Sequence, residues 1–191
     1  GGRVVPQAFM VEAAALARSR GLAVHLDGAR LFNAAVKSGV EARELCRPFD
    51  SVSVCLSKGL GAPAGSVLLG SRAFVKEARH WRKMLGGGMR QVGVLAAAGR
   101  HALKHHVARL EEDHANAARL AAGLAGVLEV EAPQTNIVWA KTSDAGLVGR
   151  LAQRGVLATG TTSVRFVTHL DVTAAQVDQA VKIISETVVR A

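Results

Sequence analysis

Tyrosine is absent from this 191-residue chain, and aromatic side chains together make up 4% of it. Single-stranded nucleic acids are gripped largely by stacking on such rings, so their scarcity argues against that partner. Cysteine is nearly absent too: Cys46 and Cys55 are too few for a disulfide framework and sit among apolar residues. This usage suits a reducing compartment. An intracellular, cytoplasmic address is expected, with the mitochondrion as the alternative. No apolar run reaches the roughly 20 residues of a membrane-crossing helix, because Arg, Glu or His interrupts each one. An initiator methionine is missing, and Gly1-Gly2-Arg3-Val4-Val5-Pro6 reads as the tail of a loop feeding a helix, so an internal start is expected. Runs of basic residues are missing as well. The formal charge is +9, yet Arg and Lys are scattered along alanine-rich segments, which excludes a nucleic-acid tract and a polybasic membrane patch.

What is present is enough apolar material for a core, 49% of residues against 20% charged. Residues 7–20 carry Phe9, Met10, Ala13, Leu16 and Ala17 at helical spacing and stop at Gly21. Leu22-Ala23-Val24-His25-Leu26 then reads as a short buried strand ending at Asp27-Gly28, and residues 50–56 and 66–69 read as two more strands. This alternation of helix and strand predicts an α/β sheet covered on both faces, a class whose ligands bind near strand carboxyl ends. From Arg72 to about Leu124 the pattern is helical, broken by Gly86-Gly87-Gly88, with long helices near 91–105 and 107–124. Beyond Gly126 come short strands at 128–130, 137–139 and 164–167 and helices near 145–153 and 173–189, the last capped by Thr173. The expected organisation is therefore residues 1–125 as part of a larger domain and 126–191 as a small α+β domain.

Two residues stand out chemically. Lys58 lies in the glycine-rich loop Ser57-Lys58-Gly59-Leu60-Gly61, directly after a strand. A lysine partly desolvated at a core edge has a freed amine that can attack a carbonyl and form a Schiff base. The plain alternative is a surface lysine on a turn. Asp27 ends the earlier strand, where a carboxylate can hold the proton on a pyridine nitrogen, the plain alternative being a helix cap. Both would fall on neighbouring strand ends at one sheet edge, which suits pyridoxal phosphate. His101 and His105 stand four apart on a predicted helix, with His80, His106 and His114 nearby, but no carboxylate or cysteine completes a metal site at recognised spacing. No metal is assigned. His169 is read as a structural hydrogen-bond donor.

Four blocks, in order, carry a resemblance: His25-Leu26-Asp27-Gly28-Ala29-Arg30-Leu31-Phe32-Asn33; Ser53-Val54-Cys55-Leu56-Ser57-Lys58-Gly59-Leu60-Gly61-Ala62-Pro63; Gly86-Gly87-Gly88-Met89-Arg90-Gln91; and Val167-Thr168-His169-Leu170-Asp171-Val172. Together they resemble the low-specificity L-threonine aldolases. The resemblance implies the fold-type I architecture of pyridoxal phosphate enzymes, assembled as homodimers or homotetramers. It implies that Lys58 bears the cofactor, that Asp27 pairs with its ring nitrogen, and that Arg30 and Arg165 hold the substrate carboxylate with bidentate guanidinium geometry. Ser57 would lend a hydroxyl to the cofactor phosphate, while Lys83 and Arg90 would reach a neighbouring subunit's cofactor. The implied activity is retro-aldol cleavage of L-threonine or L-allo-threonine to acetaldehyde and glycine, in threonine catabolism and glycine biosynthesis. A catalytically silent aldolase-like chain and a related lyase or aminotransferase of the same fold are the alternatives. The family's phosphate cup, ring-stacking histidine and part of its sheet come from sequence that has no counterpart after Gly1. An apolar sheet edge is therefore expected to be exposed, favouring self-association.

Overall fold

A computed structural model describes residues 1–189. The chain forms two compact units, one of Val5–Ala108 and one that begins at Arg109 and includes Gly1–Val4.

In the first unit the order is α1 (Gln7–Ser19), β1 (His25–Asp27), α2 (Leu31–Ser38), α3 (Ala42–Cys46), β2 (Ser51–Cys55), β3 (Ser66–Gly70), α4 (Arg72–Met84) and α5 (Gly93–His105). Pro6, with its φ fixed near the helical value, leads into α1. Gly39 closes α2 in the left-handed conformation at φ 69°, its N–H donating to the Ala35 carbonyl. The sheet runs β1-β2-β3, with β1 parallel to β2 and β3 antiparallel to it. Val52 and Val54 turn one face of β2 into a cluster with Leu31 and Leu45, on which Met10, Leu26 and Phe32 pack. Register puts His25, Asp27, Ser51, Ser53, Cys55 and Ser66 on the opposite face.

Three expectations are corrected here. The first strand is His25–Asp27 and not residues 22–26, since its ladder begins where His25 meets Ser51. It is not buried: His25 and Asp27 are exposed. Nor is the sheet covered on both faces, because every residue of β3 is exposed.

The second unit holds α6 (Leu110–Leu124), β4 (Glu129–Val130), β5 (Ile137–Lys141), α7 (Leu147–Gln153), β6 (Thr159–Gly160), β7 (Ser163–Val167) and α8 (Ala174–Val189). Its antiparallel sheet has the order β4-β5-β7-β6. Val138, Ala140, Val164 and Phe166 face Leu120 and Leu124 of α6 and Val177 and Ile184 of α8. The expected boundary at 125/126 thus moves to 108/109, because the apolar stripe of α6 belongs to this core. Gly1–Val4 join the same unit: Thr135 Oγ1 donates to the Gly2 carbonyl at 2.7 Å and Trp139 Nε1 to the Gly1 carbonyl at 3.0 Å. Thr173 caps α8 reciprocally with Gln176, each bonding the other's backbone N–H.

Candidate active site

The amino ends of β1 and β2 are tied together by a small number of polar contacts. Asp50 accepts from the Val24 N–H at 2.8 Å and from Arg18 Nη2 at 2.9 Å. The backbone bond from Val24, then the guanidinium of Arg18, hold this carboxyl below its usual range. One residue past Val24, His25 bridges two hydroxyls of β2, Nδ1 to Ser51 Oγ at 2.8 Å and Nε2 to Ser53 Oγ at 3.3 Å. These bonds fix the register that places Asp27 opposite Ser53. The sequence pattern alone does not single out His25 for this role; its two-residue offset from Asp27, which puts both on one face of a strand, is the signal that could have found it.

After Asp27 the chain turns tightly against β2. Gly28 donates to the Ser53 carbonyl at 2.8 Å, and a Cβ built at Gly28 would lie 2.8 Å from that same oxygen. Asp27 Oδ1 accepts from the Ala29 N–H at 3.1 Å, which is a local turn and not a cap on α2.

Lys58 follows β2 by three residues. Its loop closes on itself: Leu56 donates to Gly65 at 3.0 Å, Ala62 to Leu56 at 2.9 Å and Gly61 to Lys58 at 2.9 Å, all through backbone. Leu56, Gly59, Leu60 and Ala62 are buried, whereas Ser57 and Lys58 are exposed. The partial desolvation expected of Lys58 is therefore not found, because the turn buries its neighbours and lifts the lysine out. His106, just past α5, bonds the Leu60 carbonyl through Nδ1 at 2.6 Å. In the sequence His106 stands out only as one of a group of histidines, and nothing local announces this contact. Among the described residues no group of three or more His, Cys, Asp or Glu could hold a metal.

Asp27 ends β1, Ser57 and Lys58 follow the neighbouring β2, and the half-buried Arg30 stands at the start of α2. Lys83 lies in the last turn of α4 and Arg90 in the turn that follows, both exposed. Arg165 belongs to the other unit, half-buried on β7 between Trp139 of β5 and Thr159 of β6. His169 Nδ1 lies 3.4 Å from the Asp171 backbone nitrogen and 3.3 Å from Asp171 Oδ2, so its contacts stay within its own turn. Chemically, these residues offer an exposed primary amine that can condense with an aldehyde and an exposed carboxylate at a strand end. This donor set fits a pyridine aldehyde.

The beta-eliminating lyase family matches this chain over residues 1–145. Among curated proteins, the low specificity L-threonine aldolase of Escherichia coli strain K12 is 49% identical over 180 residues, which is 92% of this chain and 54% of that protein. A solved putative aromatic amino acid beta-eliminating lyase/threonine aldolase from Exiguobacterium sp. 255-15 superposes with a TM-score of 0.81 at 21% identity, covering 97% of this chain and 58% of its own. A structure of SPT with PLP gives a TM-score of 0.70 at 19% identity, over 92% of this chain and 50% of that one. The chain spans about half the length of the curated relatives it matches. Its fold is the fold-type I α/β architecture expected from the sequence.

Proposed function

The chain belongs to the beta-eliminating lyase family, and on that premise we propose that it is the lysine-bearing part of a pyridoxal phosphate-dependent carbon–carbon lyase that cleaves L-threonine and L-allo-threonine to glycine and acetaldehyde. The observation that supports this reading is that β1, which ends at Asp27, runs parallel to β2, whose carboxyl end leads into the loop of Lys58, in a chain 49% identical over 180 residues to a relative named for that activity.

When bound, pyridoxal phosphate supplies the electron sink that takes up the charge left on the α-carbon as the Cα–Cβ bond breaks. Lys58 would hold it through its amine. Asp27, whose Oδ1 accepts from the Ala29 N–H, would keep a proton on the ring nitrogen. Ser57 is assigned to the phosphate as a hydroxyl donor, and Lys83 and Arg90 to a neighbouring subunit's cofactor, whose negative charge their positive charge would offset. Arg30 and Arg165 are assigned the substrate carboxylate, because a planar guanidinium meets a carboxylate through two parallel hydrogen bonds.

The working form is a homo-oligomer, a dimer or a tetramer, acting in the cytoplasm in threonine catabolism and glycine formation. Exposed Phe9, Leu16, Trp81, Met84 and Leu85 support association, since isolated large apolar side chains are ordinary but this many in one unit favour a covered surface. Incubation with pyridoxal phosphate and L-threonine tests the chemistry. Acetaldehyde and glycine are expected, with neither formed by Lys58→Ala. A keto acid in their place would point to an aminotransferase and overturn the reading.

A further inference from the structure

We propose that His106 is the positioning residue of Lys58, fixing through the Leu60 carbonyl the loop that presents the lysine. The inference rests on the assignment of Lys58 to the cofactor given above. The loop is short and self-closed, and it lifts Ser57 and Lys58 into solvent while burying Gly59 and Leu60. A lysine on such a turn is aimed by the backbone beneath it, so any group that pins the neighbouring peptide units sets where the amine can go. His106 does this from outside the loop, with Nδ1 2.6 Å from the Leu60 oxygen, two residues past Lys58. A carbonyl only accepts, so Nδ1 carries the proton and donates it.

The histidine is itself held. Its backbone N–H caps α5 by donating to the Ala102 carbonyl at 2.8 Å, and its ring stands edge-on to that of His101 with centroids 5.2 Å apart. A second contact brings α5 against the same loop. A Cβ built at Gly99 would lie 2.8 Å from Leu56 Cδ1, so the helix passes against the residue that opens the turn. The bare backbone at Gly99 sets the distance between helix and loop, and the imidazole at the helix end sets the height of Leu60. Asp27 is fixed separately, through Gly28 and the Ser53 carbonyl.

The test uses the full chain and two readouts. The first is the rate at which pyridoxal phosphate followed by borohydride labels Lys58, read by peptide mass mapping. The second is hydrogen exchange at the Gly61 and Ala62 amides, whose bonds close the loop. His106→Ala is expected to slow Lys58 labelling about tenfold, the scale of one well-made hydrogen bond, and to speed exchange at both amides. His106→Asn, whose Nδ2 stands nearly where Nδ1 does, is expected to restore both to within about threefold of the parent. His106→Gln, which carries its donor one bond further out, should stay slow, and it takes the place of the alanine variant if that variant does not fold.

Labelling of His106→Ala or His106→Gln at the parent rate overturns the proposal, as does equal behaviour of the Asn and Gln variants. A parent chain labelled at some other lysine would refute the Lys58 assignment and this inference with it, a result distinguishable from the others because it appears before any substitution is made.

Discussion

Replacing Gly28 by alanine probes the junction that carries Asp27. The added methyl would lie 2.8 Å from the Ser53 carbonyl oxygen and 3.2 Å from Val52 Cγ1. Relief requires a shift of roughly half an ångström, a small-to-large change of the kind that costs about 1–3 kcal/mol in a packed site. The oxygen cannot simply retreat, because it accepts the Gly28 N–H at 2.8 Å and sits in the β2 backbone. The strain therefore falls on the turn between β1 and α2. For a chain of this size the expected drop in melting temperature is about 2–12 °C. Gly93→Ala serves as the control: nothing lies within 4 Å of its Cβ position and its φ is not positive, so alanine there should leave stability unchanged or raise it by up to about 1 kcal/mol. Thermal melts of both variants by circular dichroism give the answer. A Gly28→Ala variant that melts with the parent would refute the claim that bare backbone is required beside Ser53.

Three further outcomes are expected. Asp50, Asp144 and Asp178 are all held below the usual carboxylate range, Asp50 first by the Val24 N–H and the other two first by hydrogen bonds from Arg150 and Arg119. A depressed carboxyl stabilises the fold above its unfolded value and stops doing so as the pH falls through its folded value, so urea midpoints should fall below about pH 4, and Asp50→Asn should flatten part of that fall. Thr173→Ala removes one half of the reciprocal cap on α8 and should cost about 0.5–2 kcal/mol in urea denaturation, an unchanged midpoint counting against the cap. Ile184 is fully buried between α8 and the second sheet, so Ile184→Ala should cost about 2–5 kcal/mol and Ile184→Val about 0.5–1.5 kcal/mol, a graded pair that chemical denaturation resolves.

Helices were legible where apolar spacing and stop signals agree: α1 ends within a residue or two of Gly21, and α8 begins directly after its threonine cap. The run 22–26 misled because the apolar residues at 22–24 have no register partner on β2, whose ladder opens at Ser51. In α6 the periodic Leu110, Ala117, Leu120 and Leu124 announce an amphipathic helix, but periodicity does not say which core the stripe enters. β6 is two residues long and leaves no pattern to read. At the candidate site, residue type and position after a strand were enough to single out Asp27 and Lys58. The exposure of Lys58 was not readable, because apolar neighbours in a tight turn point inward and say nothing of the residue between them. His25 and His106 act through hydrogen bonds whose partners lie 26 to 46 residues away, and such pairings exist only once register and packing are set.

The most direct measurement is the site of covalent attachment. The chain is saturated with pyridoxal phosphate, reduced with borohydride, digested and mapped by mass spectrometry, beside Lys58→Ala treated the same way. The account predicts one modified peptide, carrying the adduct on Lys58 and missing from the variant. An adduct on Lys37, Lys76, Lys83, Lys104, Lys141 or Lys182 that persists in Lys58→Ala would contradict it.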